Sequence, residues 1–165
     1  TAKDEEAWER TGLRPRTGKW VCVHPGSRGA YRQWPPQYFG LLANQCLERR
    51  LQVVLTGTDE EKPIVHEVMK WIKGPVIDAC GRTSLGAAGV LIRDAALLIA
   101  NCTGVSHISS ALGTPSIIIS MDGEPERWGP TNRHLHKVID WTTTPHIDVA
   151  AEALESVLPQ KAVKL

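Results

Sequence analysis

Residues 96–121 read "ALLIANCTGVSHISSALGTPSIIISM", and this stretch decides the fold class. "ALLIAN" (96–101) is a short, continuously apolar run, as strands buried on both faces are. "GVSHISSALG" (104–113) switches to helical spacing and stops at a glycine. "PSIIISM" (115–121) is apolar and β-branched again. A strand, a helix and a strand in this order make a crossover unit, which joins parallel strands.

The same alternation extends in both directions. Strands are expected at "KWVCVH" (19–24), "LQVVLTG" (51–57), "VIDAC" (76–80) and "HLHKVID" (134–140). "PQYFGLLANQCLER" (36–49) carries Phe39, Leu42, Ala43, Cys46 and Leu47 at helical spacing, and Pro35 and Pro36 suit its start. Asp59, Glu60 and Glu61 lead a helix ending near Lys70 and Lys73, with Pro63 in its first turn and Gly74-Pro75 as its stop. "SLGAAGVLIRDA" (84–95), capped by Thr83 or Ser84, and "DVAAEALESVL" (148–158) complete the helices. Repeated units of this length predict an α/β fold with a doubly wound parallel sheet of about six strands.

The chain has 165 residues, enough for one domain that buries roughly 70% of its unfolded surface. Hydrophobic content of 42% and charged content of 22% are ordinary for a globular protein. A net charge of +1 gives no electrostatic case for nucleic acid or an anionic membrane. No apolar run approaches the roughly 20 residues of a membrane span. The start, "TAKDEEAWER", is no signal peptide. It also lacks an initiator Met, so a piece of a longer protein is expected. Cys22, Cys46, Cys80 and Cys102 form no CxxC pair, which favours reduced thiols over disulfides or zinc. Six histidines give no metal signal. His134 and His136, two apart on the expected last strand, read as surface.

Right-handed crossovers place every strand-to-helix loop at the carboxyl edge of such a sheet. "VHPGSRGAYRQWPP" (23–36) then meets the loops that follow the other strands. The shared rim holds Ser27, Arg28, Arg32, Thr56, Glu61, Arg82, Thr83, Thr103, Gly104 and His107. Hydroxyls, guanidiniums and helix N-termini together suit a phosphate-bearing ligand. Two other nucleotide motifs are missing. No GxGxxG follows the first strand, and Gly18-Lys19 is followed by Trp20 rather than Ser or Thr. Each piece also has a plain alternative: Arg28 and Arg32 as solvated charges, "TGVSH" as a helix with Thr103 at its N-cap and Ser106 at N3.

In order and spacing, "HPGS", "RQWPP", "TGTDEE", "GRTSL", "NCTGVSHISSALGTP" and "EPERWGP" resemble the C-terminal half of glycosyltransferase family nine, which contains the ADP-heptose:lipopolysaccharide heptosyltransferases. The resemblance covers about residues 20 to 140. "DEEAWERTGL" (4–13) resembles the family's stretch between its two lobes. The resemblance implies a GT-B fold of two Rossmann-like lobes, with residues 1–18 as an interlobe segment bearing a short helix. It makes 19–165 the nucleotide-sugar-binding lobe and leaves the N-terminal acceptor lobe absent. It further implies an inverting transfer of heptose from ADP-heptose to a lipopolysaccharide core or other cell-surface glycan. No metal and no resident cofactor are expected, and the catalytic base lies in the absent lobe. The glycolipid acceptor binds through that lobe. The location is cytoplasmic, at most peripheral to the inner face of a bacterial inner membrane, with no nucleic-acid partner. An isolated fragment is expected to be inactive.

Carried over by position, Ser27 and Arg32 meet the donor diphosphate, Glu61 the ribose, and Thr83 the base pocket. Thr103, Gly104 and His107 form the helix start that cradles the pyrophosphate. Cys102 stands where the family usually has Asp, and Arg32 where it usually has Lys. A thiol is a poor acceptor for sugar hydroxyls. Either Cys102 alters sugar selectivity, or it merely finishes the strand and Asp122 or Glu124 serves the sugar. A non-catalytic nucleotide-sugar-binding module and a GT-B epimerase lobe stand as alternatives.

Overall fold

In the computed structural model, which describes residues 1–16 and 19–158, six strands form one sheet. They are β1 (Trp20–His24), β2 (Gln52–Leu55), β3 (Val76–Asp78), β4 (Leu97–Asn101), β5 (Ser116–Ser120) and β6 (His136–Asp140). All neighbours pair in parallel, in the order β3-β2-β1-β4-β5-β6. β1, β4 and β5 are buried at every position, which is why their sequences are apolar without alternation.

Helices cover both faces. α2 (Pro36–Glu48), α3 (Lys62–Met69) and α7 (Ile147–Val157) pack on the face shown by Val21, Val23, Leu97 and Ile99. α1 (Ala2–Arg10), α4 (Leu85–Arg93) and α5 (Gly104–Leu112) take the opposite face with Cys22, Leu98 and Ala100. Successive strand residues serve opposite cores, the period-two geometry of a strand. The N-terminal segment belongs to this body: Trp8 and Leu13 join the second core, and Arg93 pairs with Glu5. The expected boundary at 18/19 and the end at 165 fall on residues outside those described. All four cysteines are free, and among the described residues no helix is long and apolar enough to cross a membrane.

Helix ends follow their local chemistry. Pro35 and Pro36 open α2. Of the two candidate caps for α4, Ser84 is used, its hydroxyl accepting from the Ala87 N–H at 3.2 Å. Gly113 adopts φ 71° after α5, a left-handed stop that glycine takes without a Cβ penalty. Asp59–Glu61 form a separate 3-10 turn ahead of α3, because Thr58 and Glu61 close a capping box there. A four-residue helix, α6 (Pro125–Trp128), and a 3-10 turn at Ala30–Arg32 were not legible from periodicity, which needs more than one turn to register.

The reading of His134 and His136 as paired surface residues is corrected. β6 starts at His136, so His134 lies in the preceding turn and is exposed. His136 is buried, its Nδ1 2.7 Å from the Ser116 hydroxyl. The β5–β6 register sets these two residues side by side, and each gives the other a partner.

The chain runs outward from β1 through β2 to β3, then returns through α4 to β4 on the other side of β1. β1 and β4 are therefore the switch point. The loops leaving them diverge and open a crevice beyond the strand ends.

Candidate functional site

Asn101, the last residue of β4, holds this crevice in shape. It is fully buried. Its side-chain oxygen accepts from the Trp34 N–H at 2.9 Å, and its side-chain nitrogen donates to the carbonyls of Pro25 at 2.8 Å and Gly26 at 3.3 Å. One side chain thus pins both ends of the 25–35 loop. Asn101 was not singled out from sequence. The available signal was a polar residue closing an otherwise apolar strand, since buried polar groups persist where they are bonded.

A cavity of about 610 Å³ opens beside it, lined by Ser27, Arg28, Gln33, Thr58, Glu60, Glu61, Pro63, Ile64 and Thr103. The structure therefore brings together four of the rim residues, Ser27, Arg28, Glu61 and Thr103, from three different loops. Ser27 is buried and its carbonyl accepts from the Gln33 side chain at 3.1 Å. Glu61 accepts from the Thr58 N–H at 2.8 Å. Its carboxyl group lies against Gly26, where a Cβ would come within 2.1 Å of it. Gly26 thus leaves the space that the Glu61 carboxyl group occupies.

Beneath Glu61 sits His24, the end of β1. Its Nδ1 is 3.0 Å from the Thr56 hydroxyl and its Nε2 is 3.6 Å from Glu61 Oε2. Burial pushes the His24 imidazole below its ordinary value, and the Glu61 charge opposes that only in part.

Across Thr103 lies a second group. Arg32 Nη2 is 3.6 Å from Asp122 Oδ2. Asp122 also accepts from the Ser120 hydroxyl at 3.1 Å and the Glu124 N–H at 3.2 Å. Cys102 is half-buried. Burial and the Asp122 charge push its thiol up, so it is protonated and uncharged near neutral pH. Among the described residues, two buried side-chain polar atoms lack a hydrogen-bond partner: Arg32 Nε and Trp34 Nε1. Both belong to the loop that Asn101 pins. An orphaned buried donor costs about 1–3 kcal/mol, more when charged, so this loop is short of an acceptor.

α5 begins at Gly104, and the Thr103 side chain does not cap it. Instead the Ser106 hydroxyl donates to the Thr103 carbonyl at 2.6 Å. The Ser106 N–H also donates to that carbonyl, at 2.9 Å, so the start of α5 is closed by backbone and Ser106, with no capping side chain on its first N–H groups. Gly104 and His107 are exposed at this end, and a Cβ on Gly104 would meet nothing within 4 Å. Thr83 and Arg82 lie outside the cavity. Arg82 donates to the Asp78 and Thr11 carbonyls and so ties the N-terminal segment down. Thr56 is spent on His24. Among the described residues, no three His, Cys, Asp or Glu side chains converge as a metal-binding group.

A family model described as glycosyltransferase family 9 (heptosyltransferase) matches residues 2–156. The chain belongs to glycosyltransferase family 9. Lipopolysaccharide heptosyltransferase 2 of Escherichia coli is 27% identical over 127 residues, which cover 74% of this chain and 36% of that protein. This family 9 chain thus spans about a third of the length of that curated relative. The E. coli ADP-heptose heptosyltransferase II structure superposes with a TM-score of 0.82 at 21% identity, covering 96% of this chain and 52% of that one. An E. coli heptosyltransferase solved with ADP gives a TM-score of 0.67 at 16% identity, covering 94% and 49%. The six-stranded parallel sheet is that of one half of the two-lobed GT-B fold.

Proposed function

We propose that this chain is the donor-binding lobe of an inverting glycosyltransferase that moves heptose from ADP-heptose onto a lipopolysaccharide core or another cell-surface glycan. The observation that carries the reading is the buried, unpartnered Arg32 Nε at the β1–β4 crevice, next to a helix start that no side chain caps. A donor's leaving nucleoside diphosphate gains negative charge as the glycosidic bond breaks. A fixed guanidinium and preorganised N–H groups stabilise that charge without reorganising.

The roles follow by position. The diphosphate lies between Arg32, Ser27 and the Thr103–Gly104 start of α5, with His107 at its edge. Glu61 takes the ribose hydroxyls and Thr83 borders the base. The donor is a substrate, and no resident cofactor or metal enters this reading. The catalytic base and the glycolipid acceptor belong to a lobe outside this chain, and the protein works in the cytoplasm at the inner face of the membrane. Family membership and relatives named as heptosyltransferases support the reading. The sugar hydroxyls face Cys102 and Asp122. Cys102→Asp, if the site lacks an acceptor, raises affinity for ADP-heptose relative to ADP; an equal effect on both assigns the sugar to Asp122.

Calorimetric titration with ADP, ADP-heptose, GDP and UDP tests the proposal. Binding of ADP-heptose without turnover by the 165 residues alone is the expected result. Measurable glycosyl transfer by this chain alone overturns the two-lobe reading, and absence of nucleotide binding overturns the donor site.

A further inference from the structure

His24 opens the "HPGS" motif but has been given no role above, and it is a buried group beside Glu61, one of the two carboxylates that line the cavity. Its ring is wedged at the end of the central strand, with the Thr56 hydroxyl 3.0 Å from Nδ1 on one edge and Glu61 Oε2 3.6 Å from Nε2 on the other. Only about a tenth of the His24 side chain and a fifth of the Glu61 side chain are exposed. Resting on the proposed ribose role of Glu61, we infer that His24 is a positioning residue that aims the Glu61 carboxylate and so sets how strongly the site reads the hydroxyls of the donor's ribose.

The chemistry is a relay of orientation with no proton moved. A neutral ring beside a carboxylate keeps its proton on Nε2, facing Glu61, and its bare Nδ1, at 3.0 Å, takes the Thr56 hydroxyl proton in preference to the Val23 carbonyl at 3.5 Å. Thr56 thereby stops the ring from turning over. Glu61 has three constraints: the Thr58 N–H at 2.8 Å, the Gly26 backbone against its carboxyl group, and the Nε2 edge of His24. The first two fix one oxygen and one face. The third meets the same oxygen as Thr58, Oε2, from a second direction and so limits the tilt of the carboxylate plane, which decides whether two adjacent hydroxyls are met together. The 3.6 Å separation exceeds a formed hydrogen bond, as active-site contacts often do before the ligand tightens them. A lone structural histidine needs one partner. This one faces a carboxylate that lines a cavity, and it is held by a second group that selects the matching tautomer.

The test compares affinities of the intact protein for ADP and 2′-deoxy-ADP, with GDP and UDP and their 2′-deoxy forms in parallel. The ratio within each pair is unaffected by a fraction of unfolded protein. Glu61→Ala is expected to flatten the wild-type preference, itself roughly tenfold or more for a lost charged hydrogen bond. His24→Asn keeps a polar group near Nδ1 but cannot reach Glu61, and it should flatten the ratio as Glu61→Ala does. His24→Gln places an amide N–H near the Nε2 position and should keep most of the ratio. Thr56→Val frees the ring and should lower the ratio in part, which reads the inference even where His24→Asn does not fold. If Glu61→Ala flattens the ratio while folded His24→Asn and Thr56→Val keep it, the inference is wrong and the ribose reading stands. If Glu61→Ala keeps the ratio, or no nucleotide binds, the ribose reading fails and the inference falls with it.

Discussion

The sheet has a cavity at each end, and the two are nearly the same size. The one at the carboxyl rim measures about 610 Å³. The one at the amino rim measures about 580 Å³ and is lined by Arg16, Lys19, Arg50 and Gln52 around an apolar floor that includes Leu47, Leu51 and Val76. The amino rim is the more cationic, yet its cations are exposed, and among the described residues its floor carries no buried polar network. In a parallel α/β sheet all helices point the same way, so helix C-termini gather there, and cations beside them offset the macrodipole. At the carboxyl rim helix N-termini open into the crevice, Asn101 is fully bonded underground, and Arg32 Nε is left over. Size and charge therefore do not mark the site. Costly buried polar chemistry does, because it persists only where a fold or a ligand supports it.

The largest expected effect breaks the carboxyl rim at its pin. Asn101→Leu strands the Trp34 N–H and two carbonyls, and should cost about 3 kcal/mol or more in a urea midpoint while abolishing ADP binding. Gln52→Ala at the amino rim, which loses one bond to the Arg16 N–H, should cost less than about 1 kcal/mol and leave binding intact. Comparable losses from both would end the distinction.

Next, Arg32→Ala should weaken ADP affinity by about 1.5–3 kcal/mol, as for a charged hydrogen bond, whereas Arg50→Ala should leave it unchanged. Equal titration curves for wild type and Arg32→Ala remove Arg32 from the phosphate site. Gly26→Ala sharpens the contrast within the same rim. Its Cβ displaces the far end of Glu61, so ADP affinity should fall roughly tenfold with a stability change below about 1 kcal/mol.

The pH response is smaller. Burial holds His24 and His136 below the ordinary 6.5. The unfolded chain binds protons at a higher pH than the folded one, so their contribution to stability is complete above 6.5 and is lost as the pH falls through the lowered folded values. Urea midpoints at pH 7.5 and 5.5 should show that decline, and His136→Gln should reduce it. The smallest effect is a gain. Arg50 is the one non-glycine residue with positive φ, 61°, among those described, where Leu51 donates back to the Cys46 carbonyl at the end of α2. Arg50→Gly should stabilise by at most about 1 kcal/mol with binding unchanged. A loss of ADP affinity there would make the amino rim part of the site.

Most elements were legible in the sequence, because continuous apolar strands, helical spacing and stops such as Gly113 are local signals, and because motif order singled out the family. Ser27, Glu61 and Thr103 were legible as members of one rim for a related reason: parallel connectivity alone sends all their loops to the same edge. Strand ends, the choice of Ser84 over Thr83 as a cap, and the fate of His134 and His136 were not. Each depends on a partner supplied by a distant segment, such as Ser116 for His136. The same holds for the support beneath the site. Asn101 reaches residues 76 positions away in the chain, and His24 meets Thr56 and Glu61 only because β1 pairs with β2. Sequence alone determined that anion-binding groups would share an edge, since connectivity and strand direction are one-dimensional properties. Tertiary structure alone decided which of them are buried, which are already bonded and that the Nε of Arg32, whose Nη2 already faces Asp122, is left in want of an acceptor, since burial and hydrogen-bond satisfaction are properties of the packed whole.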